Sequence, residues 1–220
     1  MRPLTLEVIA QSVEDVKAIN KSKANRIELC SNLEVGGYTP NIELIKEATE
    51  ISKIPVMVIV RNHSDNFEIN DEQLNQIIKQ IKEINKTKAH GIVFGAILNN
   101  KVNKKALETI INTVENKEIT FHKAFDYVDD KESESSYLHE QGVNRILTSG
   151  RKGNPINFLK ELKETNESGI EVLIGGGVTI DNKDTLIKNG FKNIHIGRAA
   201  RKNNSWDCDI DIEKINEFTI

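Results

Sequence analysis

Glu118-Ile119-Thr120-Phe121-His122-Lys123-Ala124-Phe125-Asp126 is a short β-branched and aromatic run that passes directly into a histidine, a lysine and a carboxylate. Its first four residues read as a buried strand, and the polar ones stand where that strand ends, the place where function gathers in proteins built of strands and loops. If His122 and Asp126 face one pocket, they supply a group that exchanges a proton near neutral pH and a carboxylate that orients it or stabilises its charge. Which fold holds such a strand depends on what flanks it.

Outward from this stretch in both directions, short β-branched runs alternate with amphipathic helical segments at similar spacing. The runs are Leu4–Ile9, Arg26–Cys30, Val56–Arg61, Gly91–Phe94, Glu118–His122, Arg145–Thr148, Glu171–Ile174 and Asn193–Ile196. That alternation predicts a parallel sheet of βα units. Between the runs, Leu74, Ile77, Ile78, Ile81 and Ile84 keep to one helical face, as do Leu107, Ile110, Ile111 and Val114, and then Phe158, Leu159 and Leu162. Helix starts are marked by Ser12, by Thr39-Pro40 as N-cap and first helical residue, by Asn70 before Asp71 and Glu72, and by Pro155. The weakest helices are Lys131–Glu140 and the closing Ile210–Phe218. Eight βα units without a Pro/Gly/Ser-rich linker predict a single α/β domain over residues 1–220, a (β/α)8 TIM-type barrel. A doubly wound open sheet is the alternative, but Ile9-Ala10-Gln11-Ser12 lacks the glycine-rich turn such a sheet shows after its first strand.

Composition excludes several classes of partner. Thirty Lys and Arg against 33 Asp and Glu give a formal charge of -3 over 220 residues, with the basic residues scattered, which argues against nucleic acid and against an anionic membrane surface. Met1-Arg2-Pro3 runs straight into strand-like sequence and no apolar run reaches spanning length, so a cytoplasmic protein is expected. The two cysteines, Cys30 and Cys208, form no C-x-x-C motif and read as free thiols.

Period-two alternation places Glu7 and Thr5, and Glu28 and Arg26, on the lumen face, with Leu6, Ile27 and Leu29 against the helices. Charged groups directed inward are costly unless paired or solvated, so Glu7, Arg26, Glu28, Arg61, His122 and Asp126 are candidates for one polar cluster at the mouth. The competing reading is an ion network that only satisfies itself. Gly175-Gly176-Gly177-Val178 and Gly197-Arg198 follow the last two strands, where barrels cradle phosphate with backbone N–H groups, and Thr148-Ser149-Gly150 could add hydroxyl donors. The loop Asn62-His63-Ser64-Asp65-Asn66-Phe67 suits a lid, with His63 and Asp65 read as solvated loop residues. His195 reads as a hydrogen-bonded core histidine, and alternation sets Lys123 opposite His122.

Arg26-Ile27-Glu28-Leu29-Cys30, Gly36-Gly37-Tyr38-Thr39-Pro40, Thr120–Asp126 and Arg145-Ile146-Leu147-Thr148-Ser149-Gly150, with the opening Leu6-Glu7-Val8 and the turn at Gly175–Val178, together resemble the CutC family of copper homeostasis proteins. The resemblance spans nearly the whole chain and implies a cytoplasmic barrel, a homo-oligomer, and a link to copper. Two departures stand out. Arg61 is followed by Asn62-His63 where the family carries a second arginine, and Lys123 stands where arginine is common, which would forfeit a bidentate grip on an anion.

Two function classes follow. In the first, the chain handles copper; Cu(I) takes soft ligands, and the supply is Cys30, Cys208, Met1 and Met57, with Cys30 nearest the mouth. A tail beyond the eighth strand that stays clear of the barrel would leave the two thiols apart. In the second, the chain is a lyase, isomerase or hydrolase acting on a small anionic or polyhydroxylated molecule. His122 is then the acid/base, Asp126 or Glu28 orients it, Arg61 and Arg26 hold negative charge, and the two glycine loops bind the anion.

Overall fold

In the computed structural model, residues 4–63 and 66–219 are described; Met1, Arg2, Pro3, Ser64 and Asp65, on which the readings of the chain start, one soft ligand and part of the lid loop rest, lie outside them. The strands are β1 (Thr5–Ala10), β2 (Arg26–Leu29), β3 (Val56–Ile59), β4 (Gly91–Phe94), a small hairpin of β5 (Ile97–Leu98) and β6 (Lys101–Val102), then β7 (Glu118–Phe121), β8 (Arg145–Thr148), β9 (Glu171–Ile174) and β10 (Asn193–Ile196). Eight of them close a parallel barrel in the order β1-β10-β9-β8-β7-β4-β3-β2, with the β5-β6 hairpin outside it. This is the (β/α)8 barrel that the alternation predicts.

The helices are α1 (Val13–Ile19), α2 (Ile42–Ile51), α3 (Asp71–Asn85), α4 (Lys104–Thr113), α5 (Lys131–Glu140), α6 (Leu159–Glu167), α7 (Ile180–Lys188) and α8 (Ile212–Glu217). Ser12 caps α1 by accepting from the Asp15 amide, and Asn70 with Gln73 forms a reciprocal capping box at α3. The second helix starts later than Thr39-Pro40. Thr39 is tied to the end of β3 instead, its Oγ1 accepting from the Arg61 amide at 2.9 Å, and Asn41 is the cap, its side chain accepting from Leu44 N at 2.8 Å.

Alternation divides the core in two. Leu6, Val8, Ala10, Ile27 and Leu29 pack outward with Ile77, Ile81, Ile84, Leu107, Ile110 and Leu162 of the helices, whereas Cys30, Leu33, Met57, Ile59 and Val93 form a separate lumen cluster joined by Ile9 and Trp206. Phe158 belongs to a 3-10 turn before α6 rather than to the helix itself. Each fully buried Leu or Ile in the outer layer contributes roughly 1.5–3 kcal/mol. The tail does not stay clear of the barrel. Arg201 makes a buried ion pair with Asp15 of α1, Gln11 Nε2 donates to the Trp206 carbonyl at 2.8 Å, and the Trp206 ring lies over Gly197, where a Cβ would meet it at 2.4 Å.

Candidate functional site at the barrel mouth

The first residues of the strands make a floor. Arg26, opening β2, pairs with Glu7 and with Glu171 at 3.5 Å, and Arg145, opening β8, pairs with Glu118 and with Glu171 at 3.1 Å. Arg26 is therefore not a mouth residue, because a strand's first position lies at the N-terminal end of a parallel barrel. It neutralises Glu7 from below.

Above this floor the lumen holds a chain of charge. The register sets Glu7 beside His195, whose Nδ1 lies 2.7 Å from Glu7 Oε1, while its Nε2 lies 3.5 Å from Glu28 Oε2. Burial works against ionised Glu7, yet Arg26 and His195 outweigh it and hold its pKa at about 2. Burial likewise opposes a charged His195, and the hydrogen bond to Glu7 and the nearby Glu28 overcome it, so the imidazole pKa is raised. Glu28 goes the other way: burial lifts it to about 7, against the pull of His195 and with a push from Glu7. A carboxyl that titrates at neutrality thus ends a row of fixed charges.

The upper wall is made by Arg61 and His122. His122 Nδ1 accepts from the Ala124 amide at 3.1 Å, its ring is tilted against Phe67 at 5.1 Å, and burial together with the Arg61 charge drives its pKa down to about 3. It is a neutral imidazole at physiological pH. The pairing of His122 with Asp126 is not formed. Asp126 instead accepts from Thr148 Oγ1 at 2.5 Å, from Ser149 N at 2.9 Å and Oγ at 2.8 Å, and from the Lys123 ammonium. Thr148 and Ser149, read as ligand donors, are fully buried and spend their hydroxyls on this carboxylate.

Lys123 is what that carboxylate positions. The strand stops at Phe121, and His122 caps a 3-10 turn, Lys123–Tyr127, so strand alternation no longer applies beyond it and Lys123 turns to the mouth. Its Nζ donates to Asp126 and, at 2.7 Å, to Ser149 Oγ. The third ammonium proton has no protein acceptor among the described residues. Gly176 makes room for it: with φ at +79°, a Cβ there would stand 2.3 Å from Lys123 Nζ.

Two cavities meet here. One of about 960 Å³ is lined by Lys123, Lys152, the Gly176–Thr179 segment, the Gly197–Ala199 segment and Trp206. The other, about 780 Å³, takes in Glu28, Cys30, Arg61 and His122. Ile9, Phe67, Lys123, Tyr127, Lys152 and His195 border both. Gly176, Gly177, Gly197 and Arg198 thus face the first cavity, whereas Gly175 is buried and leaves space for the His195 ring.

The sequence model of the CutC family matches residues 4–200. The chain belongs to the CutC family. The family protein CutC of Pasteurella multocida is 31% identical over 204 residues, covering 90% of this chain and 84% of that protein. The family protein CutC of Enterococcus faecalis is 38% identical over 193 residues, covering 82% and 92%. A crystal structure of a CutC from Streptococcus agalactiae, named for copper homeostasis, superimposes with a TM-score of 0.83 at 30% identity, covering 88% of this chain and 98% of that one. Trp206 and the rest of the tail lie beyond the matched CutC segment.

Among the described residues of this CutC chain, no soft ligands for copper gather at one metal-binding position. Cys30 is buried beside Glu28, and burial with that carboxylate raises its thiol pKa well above the ordinary range. Met57 points to the floor, its sulfur 3.9 Å from Arg145 Nη1, and Cys208 lies in the tail beside Asn203. Among the described residues, the group with metal-ligand spacing is Glu7, Glu28 and His195, a hard oxygen and nitrogen set whose members already neutralise one another and Arg26. These donors do not fit Cu(I).

Proposed function

We propose that the chain serves the copper-homeostasis role in its relative's name through a small anionic or polyhydroxylated molecule bound at the barrel mouth, rather than by holding Cu(I). The observation that carries this is Lys123, locked by Asp126 and Ser149 with one ammonium proton directed to a cavity edged by the Gly176–Thr179 and Gly197–Ala199 backbone. Lysine and exposed backbone N–H groups are the usual partners of a phosphate or carboxylate. The molecule's body then reaches His195 and Glu28.

There Glu28, titrating at about 7, exchanges a proton with the bound molecule, the step common to lyases, isomerases and hydrolases. His195 and Glu7 hold it in place and balance its charge. His122, neutral, donates from Nε2 to ligand oxygen. Asp126, Thr148 and Ser149 act through Lys123.

Titrating reduced protein with Cu(I) against a competing chelator, and separately with inorganic phosphate, tests the reading. Cu(I) is expected to stay with the chelator, and phosphate to bind with an affinity that falls about tenfold or more in Lys123→Met, the loss of one charge-assisted contact. Stoichiometric Cu(I) binding abolished by Cys30→Ser, with no phosphate binding, would overturn it.

A further inference from the structure

Arg61 stands apart from the other buried arginines. Arg26, Arg145 and Arg201 each meet a carboxylate within salt-bridge distance. Arg61 is 7% exposed, and no carboxylate reaches it among the described residues. Its Nη1 donates to the Val35 and Gly37 carbonyls, both at 3.2 Å, and its Nε is buried without any acceptor. The flat faces of the guanidinium lie near the Tyr38 and Phe67 rings, 5.9 and 5.3 Å from their centroids. What is left without a protein acceptor among the described residues is the Nε–Nη2 edge, two parallel donors of which Nε is buried, on a side chain lining a cavity that also contains Glu28 and His195.

A buried cation with an unused fork is expensive unless something completes it, and the edge matches the two oxygens of a carboxylate. We propose that Arg61 binds a carboxylate at one end of the ligand whose other, phosphate end lies at Lys123 and the glycine loops, making the ligand class a phosphorylated hydroxy acid. This rests on the reading of Lys123 as an anion site given above. The linking carbons of such a molecule pass His195, which borders both cavities, and bring their hydroxyls to Glu28. A molecule with one anionic group leaves one of the two cations unanswered.

The test compares 4-phosphoerythronate with erythritol 4-phosphate, which lacks the carboxylate, and with erythronate, which lacks the phosphate, by calorimetry on the wild type, Arg61→Gln and Arg61→Lys. The wild type should prefer 4-phosphoerythronate over erythritol 4-phosphate by about tenfold or more. That preference should vanish in Arg61→Gln and fall partway in Arg61→Lys, which keeps the charge but not the fork. Because the comparison is a ratio within each variant, a loosened Val35–Gly37 turn that weakens both ligands equally does not imitate the result. Equal affinities in the wild type, or a preference that survives Arg61→Gln, would overturn the proposal while leaving Lys123 as an anion site. Erythronate binding lost in Arg61→Gln, with no phosphate ester bound, would keep Arg61 and remove the Lys123 reading. No binding of any of the three overturns both.

Discussion

Glu28 occupies a lumen position where the ionised form is held at a cost, and this makes a prediction about stability. Its pKa rises from an ordinary 4.5 to about 7, so between those values the folded protein binds more protons than the unfolded chain, and stability falls as pH rises through that window. His195, raised above 6.5, adds a loss of the same sign as pH passes its folded value, while Glu7, lowered to about 2, contributes fully above 4.5 and loses its contribution only as pH falls through the acid range. Glu28→Gln mimics the protonated carboxyl. It should flatten urea-derived stability between about pH 5 and 7 and gain on the order of 3 kcal/mol relative to the wild type across it; parallel curves would contradict the assignment. At this scale the sequence was informative only in part. Alternation put Glu7 and Glu28 on the lumen face, but His195 read only as a hydrogen-bonded core histidine, and its contact with Glu7 depends on the closure of β1 against β10, which no local pattern encodes. Lys123 was misplaced because alternation was extended two residues past the strand's end at Phe121, across the His122 cap of a 3-10 turn.

Elements were far more legible, because hydrophobic period and end signals are local. Gly91–Phe94, Arg145–Thr148, Glu171–Ile174, Asn193–Ile196 and Lys131–Glu140 fall where the sequence predicts them. Thr39-Pro40 misled because a threonine hydroxyl can serve a neighbouring strand as readily as a helix end, and here it serves β3. The small β5-β6 hairpin, two residues to a strand, is too short for any periodic signal. At α3 the acidic start reads correctly and the structure adds its mechanism: Asn70 Oδ1 accepts from Gln73 N and Gln73 Oε1 accepts from Asn70 N, both at 2.9 Å. Asn70→Ala should therefore cost about 1 kcal/mol, read from the urea midpoint at unchanged slope. An unchanged midpoint would mean that the cap is redundant with the packing of Ile77, Ile81 and Ile84.

For the whole molecule, closure of the barrel turns scattered polar residues into layers: a salt-bridged floor, a charge chain in the lumen, and a mouth split between a lysine lobe and an arginine lobe. Among the described residues, no helix is long and apolar enough to cross a membrane. The tail closes one side by bringing Trp206 over Gly197, an arrangement hidden from the sequence because it depends on the buried Arg201–Asp15 pair between segments far apart in the chain. All of this converges on one claim, that the mouth receives an anion at Lys123. The most direct measurement is a crystal of the reduced protein soaked in inorganic phosphate, with the difference map examined at Lys123 Nζ and the Gly176–Gly177 and Gly197 backbone. Tetrahedral density within hydrogen-bond distance of both is the expected result; phosphate bound only elsewhere, with that pocket showing water alone, would contradict the account.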